Sequence, residues 1–308
     1  MGKNRQQLEQ ELEKLLTADQ IKKEEPLSRH TTFRVGGPAE YLVTPELSQL
    51  PDVVALCRQY EAPLTIIGNG SNLLISDKGL RGVVLEVGKA ASGIRMVDGE
   101  DLVVRAGTLL SETANFAAKN GLSGMEFAAG IPGSVGGAVV MNAGAYGGEM
   151  KDILSGVRVL TKTGEIRVRS ADELDLSYRH SRMMDEEEIV LEARLNLTQG
   201  SEVVIRARME ELRKKRVEKQ PLEYPSAGST FKRPEGYFAG KLIEEAGLRG
   251  YRIGDAQVSE KHCGFVINRG NASAAQILEL MQYVQDRVKE ASGVQLEPEV
   301  RLLGFSAG

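Results

Sequence analysis

The chain has 308 residues, enough for about two domains and for a core that buries roughly three-quarters of the surface its unfolded form exposes. Its 39 basic and 43 acidic residues leave a net charge of −4, which argues against a nucleic-acid binder working through a global basic field. Cys57 and Cys263 cannot build a disulfide framework, and three scattered histidines exclude a zinc site of the common Cys/His type. No apolar run reaches the ~18 residues that span a bilayer. The polar first twenty residues do not read as a secretory signal. A soluble cytoplasmic protein without metal is expected.

Leu8, Leu12, Leu15 and Leu16 share one helical face, so residues 4–17 read as an amphipathic helix. Residues 30–37 read as a loop, 39–44 as a strand and 47–60 as a helix with Pro51 in its first turns. The strand 64–67 runs straight into a glycine-rich bend; further strands are expected at 73–76, 82–87, 93–97 and 101–106. Residues 109–120 form a helix closed by Gly121. A second glycine-rich stretch spans 130–148, and then Thr163-Gly164 marks a hairpin between 154–162 and 165–169. Residues 190–198 alternate as a strand, and 201–219 form a charged helix stopped by Pro221. Residues 220–236, rich in Pro, Gly and Ser, are the best linker candidate. The remainder reads as a helix at 238–246, a strand at 264–268, a helix capped by Ser273 and Gln276, and a final strand at 294–303. Helices and strands mix without a steady βαβ alternation, which favours an α+β fold over a doubly wound sheet.

Glycine makes up 34 of 308 residues, about 11% against a usual ~7%, and much of it falls in two loops. The first is Gly68-Asn69-Gly70-Ser71-Asn72-Leu73. Side chains this small let backbone N–H groups approach an anion. It is not a Rossmann turn, because Leu73 stands at the third glycine position and no crossover helix fits before the next strand. A Walker A lysine is also missing. The second loop is Gly130-Ile131-Pro132-Gly133-Ser134-Val135-Gly136-Gly137, continued by Asn142-Ala143-Gly144-Ala145. Its Ile and Val content suits an ordered backbone packed against a flat ligand better than a linker. Either loop alone is also an ordinary structural turn; two in one half of the chain point to a nucleotide with a pyrophosphate.

GNGSNLL (68–74) and AGIPGSVGGAVVMNAGAYG (129–147) resemble the flavin-binding motifs of the UDP-N-acetylenolpyruvoylglucosamine reductase family. The resemblance continues, in the family's order, through HTTFRVGGPA (30–39), SYRHS (177–181), KQP (219–221), AGSTFK (227–232) and LEPEV (296–300). It implies a vanillyl-alcohol-oxidase/PCMH-type FAD-binding fold of two α+β subdomains, residues 1–85 completed by 300–308 and residues 86–219. A C-terminal α+β substrate-binding domain takes 220–299. It implies NADPH-dependent, FAD-mediated reduction of the enolpyruvyl sugar nucleotide to UDP-N-acetylmuramate, a step in peptidoglycan precursor synthesis and so in cell-wall growth, shape and division. Arg179 and Val190 stand only eleven positions apart, so the chain resembles the shorter subclass that lacks an extra tyrosine-bearing segment. Arg233 stands where some members carry Asn.

The resemblance implies three catalytic residues. Hydride addition to the enol ether leaves negative charge beside a carboxylate, and a fixed cation there lowers the barrier. That role falls to Arg179, since arginine stays charged and grips carboxylates in parallel. Ser229 is the proton donor, a task in which position outweighs acidity. Glu299 lies by the substrate carboxyl, either protonated and donating or ionised and orienting Arg179. Glu297 would share its strand face, and Pro298 argues for an edge or a strand start. Tyr178, Lys219 and Lys232 are substrate contacts, and Arg216 is a possible flavin or substrate contact. The cofactor contacts are the residues of the two glycine-rich loops named above. Local sequence alone reads these same residues as a loop arginine, a turn serine, an exposed strand charge and a solvated helix face. Another flavin oxidoreductase of the same fold, and an inactive nucleotide-binding module, are the alternatives. The expected partner is the small-molecule substrate, with no nucleic acid or membrane, and a monomer is favoured.

Overall fold

The computed structural model describes residues 2–97 and 99–305. The chain divides into two compact units, and neither is a single run of sequence. Unit 1 takes the chain to Lys23, then Tyr41–Asn69 and Gly82–Arg216. Unit 2 takes Glu24–Glu40, Gly70–Arg81 and the chain from Val217 onward. The expected last strand segment, 300–308, has its final three residues outside the described ones, as has Met1.

The helix α1 (Gly2–Leu15) turns Leu8 and Leu12 into the core of unit 1. After β1 (Ile21–Pro26) and β2 (Pro38–Val43) comes α2 (Leu50–Gln59), which packs on α1. It begins later than the pattern suggests, with Pro51 in the first turn, where a missing N–H costs no intrahelical bond. The strands β3 (Leu64–Ile67), β4 (Leu73–Ile75) and β5 (Leu80–Glu86) then follow with no helix between them. β3 and β5 pair in parallel, Leu64 opposite Val83, in a sheet of order β1-β2-β5-β3. A parallel pair joined without a helix is not a Rossmann unit, as the spacing around Gly68 predicts.

Next are β6 (Ile94–Val97), β7 (Asp101–Arg105) and α3 (Leu110–Lys119), which ends beside Gly121 at a φ of +66°. Beyond β8 (Leu122–Ser123), the second glycine-rich stretch holds a helix that its composition hides, α4 (Val135–Val140). Gly136 and Gly137 are poor helix formers. Close packing decides instead: a Cβ on Gly136 would sit 2.8 Å from the Cβ of Ala106. The small strands β9 (Gly144–Ala145) and β10 (Gly148–Glu149) pair with each other. The hairpin of β11 (Leu154–Leu160) and β12 (Ile166–Ser170) turns at Gly164, whose φ is +91°. Then come α5 (Arg182–Asp185), β13 (Ile189–Asn196), β14 (Thr198–Gln199) and α6 (Glu202–Lys219). An antiparallel sheet of order β12-β11-β13-β7-β6 carries α4 against β13.

In unit 2, α7 (Ala239–Glu245) is followed by β15 (Arg252–Ile253), β16 (Ala256–Val258) and β17 (Val266–Asn268), an antiparallel sheet. The long α8 (Ala274–Ser292) buries Ile277, Leu280, Met281, Val284 and Val288 at helical spacing. Ser273 caps it, accepting from the Gln276 N–H, and the Asp77 carboxylate accepts from the N–H groups of Ala274 and Ala275. The chain closes with β18 (Arg301–Leu303), parallel to β4.

Two expectations are corrected here. Residues 220–236 are not a linker. Ala227, Thr230 and Phe231 are buried in the unit 2 core, and Thr230 is bonded on three sides. The final strand is also shorter than 294–303: Glu297 and Glu299 precede it, and Pro298 makes an isolated bridge with Phe231. Proline contributes no N–H to a ladder, which delays the strand until Arg301.

Candidate active site

The two glycine-rich loops adjoin within unit 1. The Asn69 amide donates to the Pro132 carbonyl at 2.6 Å. A Cβ on Gly68 would stand 2.5 Å from Ser134 Oγ, so a side chain there would have to turn that hydroxyl away. Behind this face, Gly133 accepts from Leu110 N, Gly136 donates to Ala106 O, and Ile131 donates to Ala128 O. Ser134 caps α4 toward Gly137 N, and Gly137 itself is exposed. Ala143 donates to Ala138 O, and Gly144 and Ala145 lie opposite Glu149 and Gly148. The result is a wall of fixed backbone nearly free of side chains, which is what a flat ring and a pyrophosphate require of a cradle.

The first loop also contributes to unit 2 from Gly70 onward. Gly70 has a φ of +60° and packs so tightly that a Cβ would fall 1.9 Å from His30 O. Its carbonyl accepts from Thr32 N, and Ser71 is half-buried. Asn72 donates from its amide to the Glu299 carbonyl at 3.0 Å, while Leu73 lies opposite Arg301.

Arg179 sits in unit 1 at the tip of a tight turn. Ser177 and His180 exchange backbone hydrogen bonds at 3.2 Å, and Arg179 has a φ of +57°. Its guanidinium donates to the Gly144 carbonyl at 3.5 Å and lies 4.9 Å from the centroid of the exposed Tyr178 ring. The predicted cation and the second glycine-rich loop are therefore neighbours. His180 is occupied by Asp185 and the Asp175 carbonyl, and Met183 is buried packing.

Arg216 separates itself from its own helix. Arg206, Arg208, Arg213 and Lys215 pair along the surface of α6 with Glu202, Glu211, Glu210 and Glu211. The guanidinium of half-buried Arg216 makes no hydrogen bond or ion pair with a described residue. Burial holds its pKa below the usual arginine value, and the nearby Tyr146 acts in the opposite direction. It lies against the second loop: a Cβ on Gly130 would meet its Cδ and Nη1 at 3.2 Å. In sequence, a run of basic and acidic residues concealed that difference.

In unit 2, backbone bonds gather the other candidates. Thr230 is fully buried; its N–H reaches Gly264 O, its Oγ1 accepts from Val266 N, and its carbonyl accepts from Glu299 N at 2.9 Å. The exposed Ser229 is thereby the chain neighbour of a residue bonded to the half-buried Glu299. Lys232 N donates to Glu297 O, and its ammonium pairs with the Glu297 carboxylate at 3.3 Å. Glu297 is thereby a partner of Lys232, where the sequence places it on one strand face with Glu299. Arg233 stacks over Phe238 at 4.0 Å, and Lys219 is exposed at the end of α6.

The chain is similar to known proteins along most of its length. A family model described as UDP-N-acetylenolpyruvoylglucosamine reductase, C-terminal domain, matches residues 220–303, and one described as FAD binding domain matches residues 39–170. The UDP-N-acetylenolpyruvoylglucosamine reductase of Agathobacter rectalis is 56% identical over 292 residues, 91% of this chain and 93% of its own. That of Lachnoclostridium phytofermentans is 53% identical over 299 residues, 96% of each chain. The crystal structure of UDP-N-acetylenolpyruvylglucosamine reductase from Thermus caldophilus matches with a TM-score of 0.78 at 40% identity, over 91% of this chain and 97% of that one.

Proposed function

The chain belongs to the UDP-N-acetylenolpyruvoylglucosamine reductase family, and from that premise we propose that it reduces UDP-N-acetylenolpyruvoylglucosamine to UDP-N-acetylmuramate with FAD as cofactor and NADPH as reductant. The fold is α+β, of the vanillyl-alcohol-oxidase/PCMH type, with an FAD-binding domain and a family-specific C-terminal domain. The observation that carries the reading is the placement of the Arg179 guanidinium against Gly144, inside the loop suited to the cofactor.

The donor set fits FAD: bare backbone at Gly68–Asn69, Gly130–Ser134 and Gly136–Gly137 for the flat ring and pyrophosphate, with the Ala143–Ala145 backbone beside it. Arg216 adds a cation at the Gly130 edge. When bound, FAD would supply the hydride for the substrate's enol ether, with NADPH as its source. Arg179 holds the substrate carboxylate and opposes the negative charge that grows beside it. Ser229, on a glycine-flanked exposed turn, delivers the proton that completes the saturated product. Glu299, anchored through Thr230 and Asn72, holds the substrate carboxyl side in register. Tyr178, Lys219 and Lys232 hold the rest of the sugar nucleotide, with Lys232 exchanging Glu297 for phosphate. The reaction belongs to peptidoglycan precursor synthesis in the cytoplasm, carried out by a monomer. Among the described residues, no helix is long and apolar enough to cross a membrane.

The test follows flavin colour. The purified protein is yellow, bleaches with NADPH, and regains its absorbance when UDP-N-acetylenolpyruvoylglucosamine is added without oxygen. A colourless protein that does not quench added FAD, or a bleached flavin that the sugar nucleotide leaves unchanged, overturns the reading.

A further inference from the structure

Asn142 is fully buried, at a φ of +40°. Its amide nitrogen donates to Glu149 Oε2 at 2.8 Å and to the Ser177 carbonyl at 3.0 Å, and its Oδ1 accepts from Lys151 N at 2.9 Å. Two acceptors and one donor around the group fix which end is nitrogen. Both amide hydrogens are therefore committed inside the protein. The Ser177 carbonyl it holds opens the turn whose tip is Arg179. Past the turn, Ser181 Oγ donates to Val140 O at 2.6 Å. Asn142 and Val140 both lie at the C-terminal end of α4, so one short stretch of chain grips the arginine turn before and after its tip. That stretch continues directly into Gly144, which the Arg179 guanidinium touches.

We propose that Asn142 is a positioning residue, whose side chain sets the Arg179 guanidinium against the Gly144–Ala145 wall and does not itself contact cofactor or substrate. The proposal rests on the role given above to Arg179. An aspartate at 142 could still accept from Lys151 N, but its ionised carboxylate has no hydrogen for Ser177 and would repel Glu149. Glycine suits the positive φ and removes the grip without adding backbone strain.

The experiment uses the FAD-loaded full chain with Asn142→Gly, Asn142→Asp, Arg179→Lys, and Asn142→Gly combined with Arg179→Lys. FAD affinity is read by fluorescence quenching on the apoprotein, and the two half-reactions are followed separately by absorbance. Both Asn142 variants keep FAD affinity within about threefold and bleach normally with NADPH, yet their recovery with the sugar nucleotide slows by on the order of 10- to 100-fold. The combined variant recovers within about twofold of Arg179→Lys alone, because both changes remove the same contribution. Normal recovery in both Asn142 variants while Arg179→Lys is slow overturns the inference alone. So do losses that multiply in the combined variant, or failure of both Asn142 variants to hold FAD. Normal recovery in Arg179→Lys overturns the role of Arg179, and this inference with it.

Discussion

Arg216 shows how little a side chain's identity says about its work. Four basic neighbours on α6 are paired at the surface, where each pair adds only a few tenths of a kcal/mol. Arg216 instead meets the backbone of the second glycine-rich loop. Arg216→Gln is expected to weaken FAD binding to the apoprotein about tenfold, or about 1.4 kcal/mol, in a quenching titration. An affinity within about twofold of wild type would remove Arg216 from the cofactor site. For Ser229, Ser229→Ala should bleach normally with NADPH and recover about 100-fold or more slowly with the sugar nucleotide. An equal loss in both half-reactions would take the proton-donor role from it. The motif residues themselves were legible as residue types in order. Partnerships that join distant positions, such as Asn142 with Ser177 or Asn72 with Glu299, leave no trace in local sequence.

Among the elements, helical periodicity made α1 readable, Gly121, Pro221 and the Ser273–Gln276 cap marked α3, α6 and α8, and turn chemistry placed the hairpin at Gly164. Three places defeated it, two through tertiary packing and one through a proline. Glycine composition masked α4, which exists because Gly136 lets it press on Ala106. Turn-rich composition at 220–236 suggested a linker, although Thr230 and Phe231 are core. Pro298, read in the sequence as an edge or strand start within 294–303, instead holds the strand off until Arg301. Gly136→Ala puts a methyl 2.8 Å from another, and should cost about 1–3 kcal/mol by urea unfolding of the apoprotein. No change in the midpoint would show that α4 has room to move. Asp77 caps α8 across nearly two hundred positions, a contact no sequence window contains. Asp77→Ala should lower stability by about 1 kcal/mol in the same measurement; an unchanged midpoint would mean that Ser273 alone suffices.

For the molecule as a whole, FAD that binds only the folded chain stabilises it by mass action, about 2.7 kcal/mol at a concentration 100 times its dissociation constant. Deflavination should therefore lower the melting temperature, and adding FAD back should restore it; identical melting curves would contradict cofactor binding to the native state. The two-unit division was not legible from composition, because each unit is assembled from separated stretches. The parallel pairing of β18 with β4 makes this acute for unit 2. Residues near Leu73 leave the ribosome long before Arg301 is translated. At ~5–20 residues per second, they wait on the order of tens of seconds for their partner. Unit 2 is thus obliged to mature only once Arg301–Leu303 has been made, and a nascent chain stalled before that strand would present Leu73–Ile75 bare to chaperones and proteases.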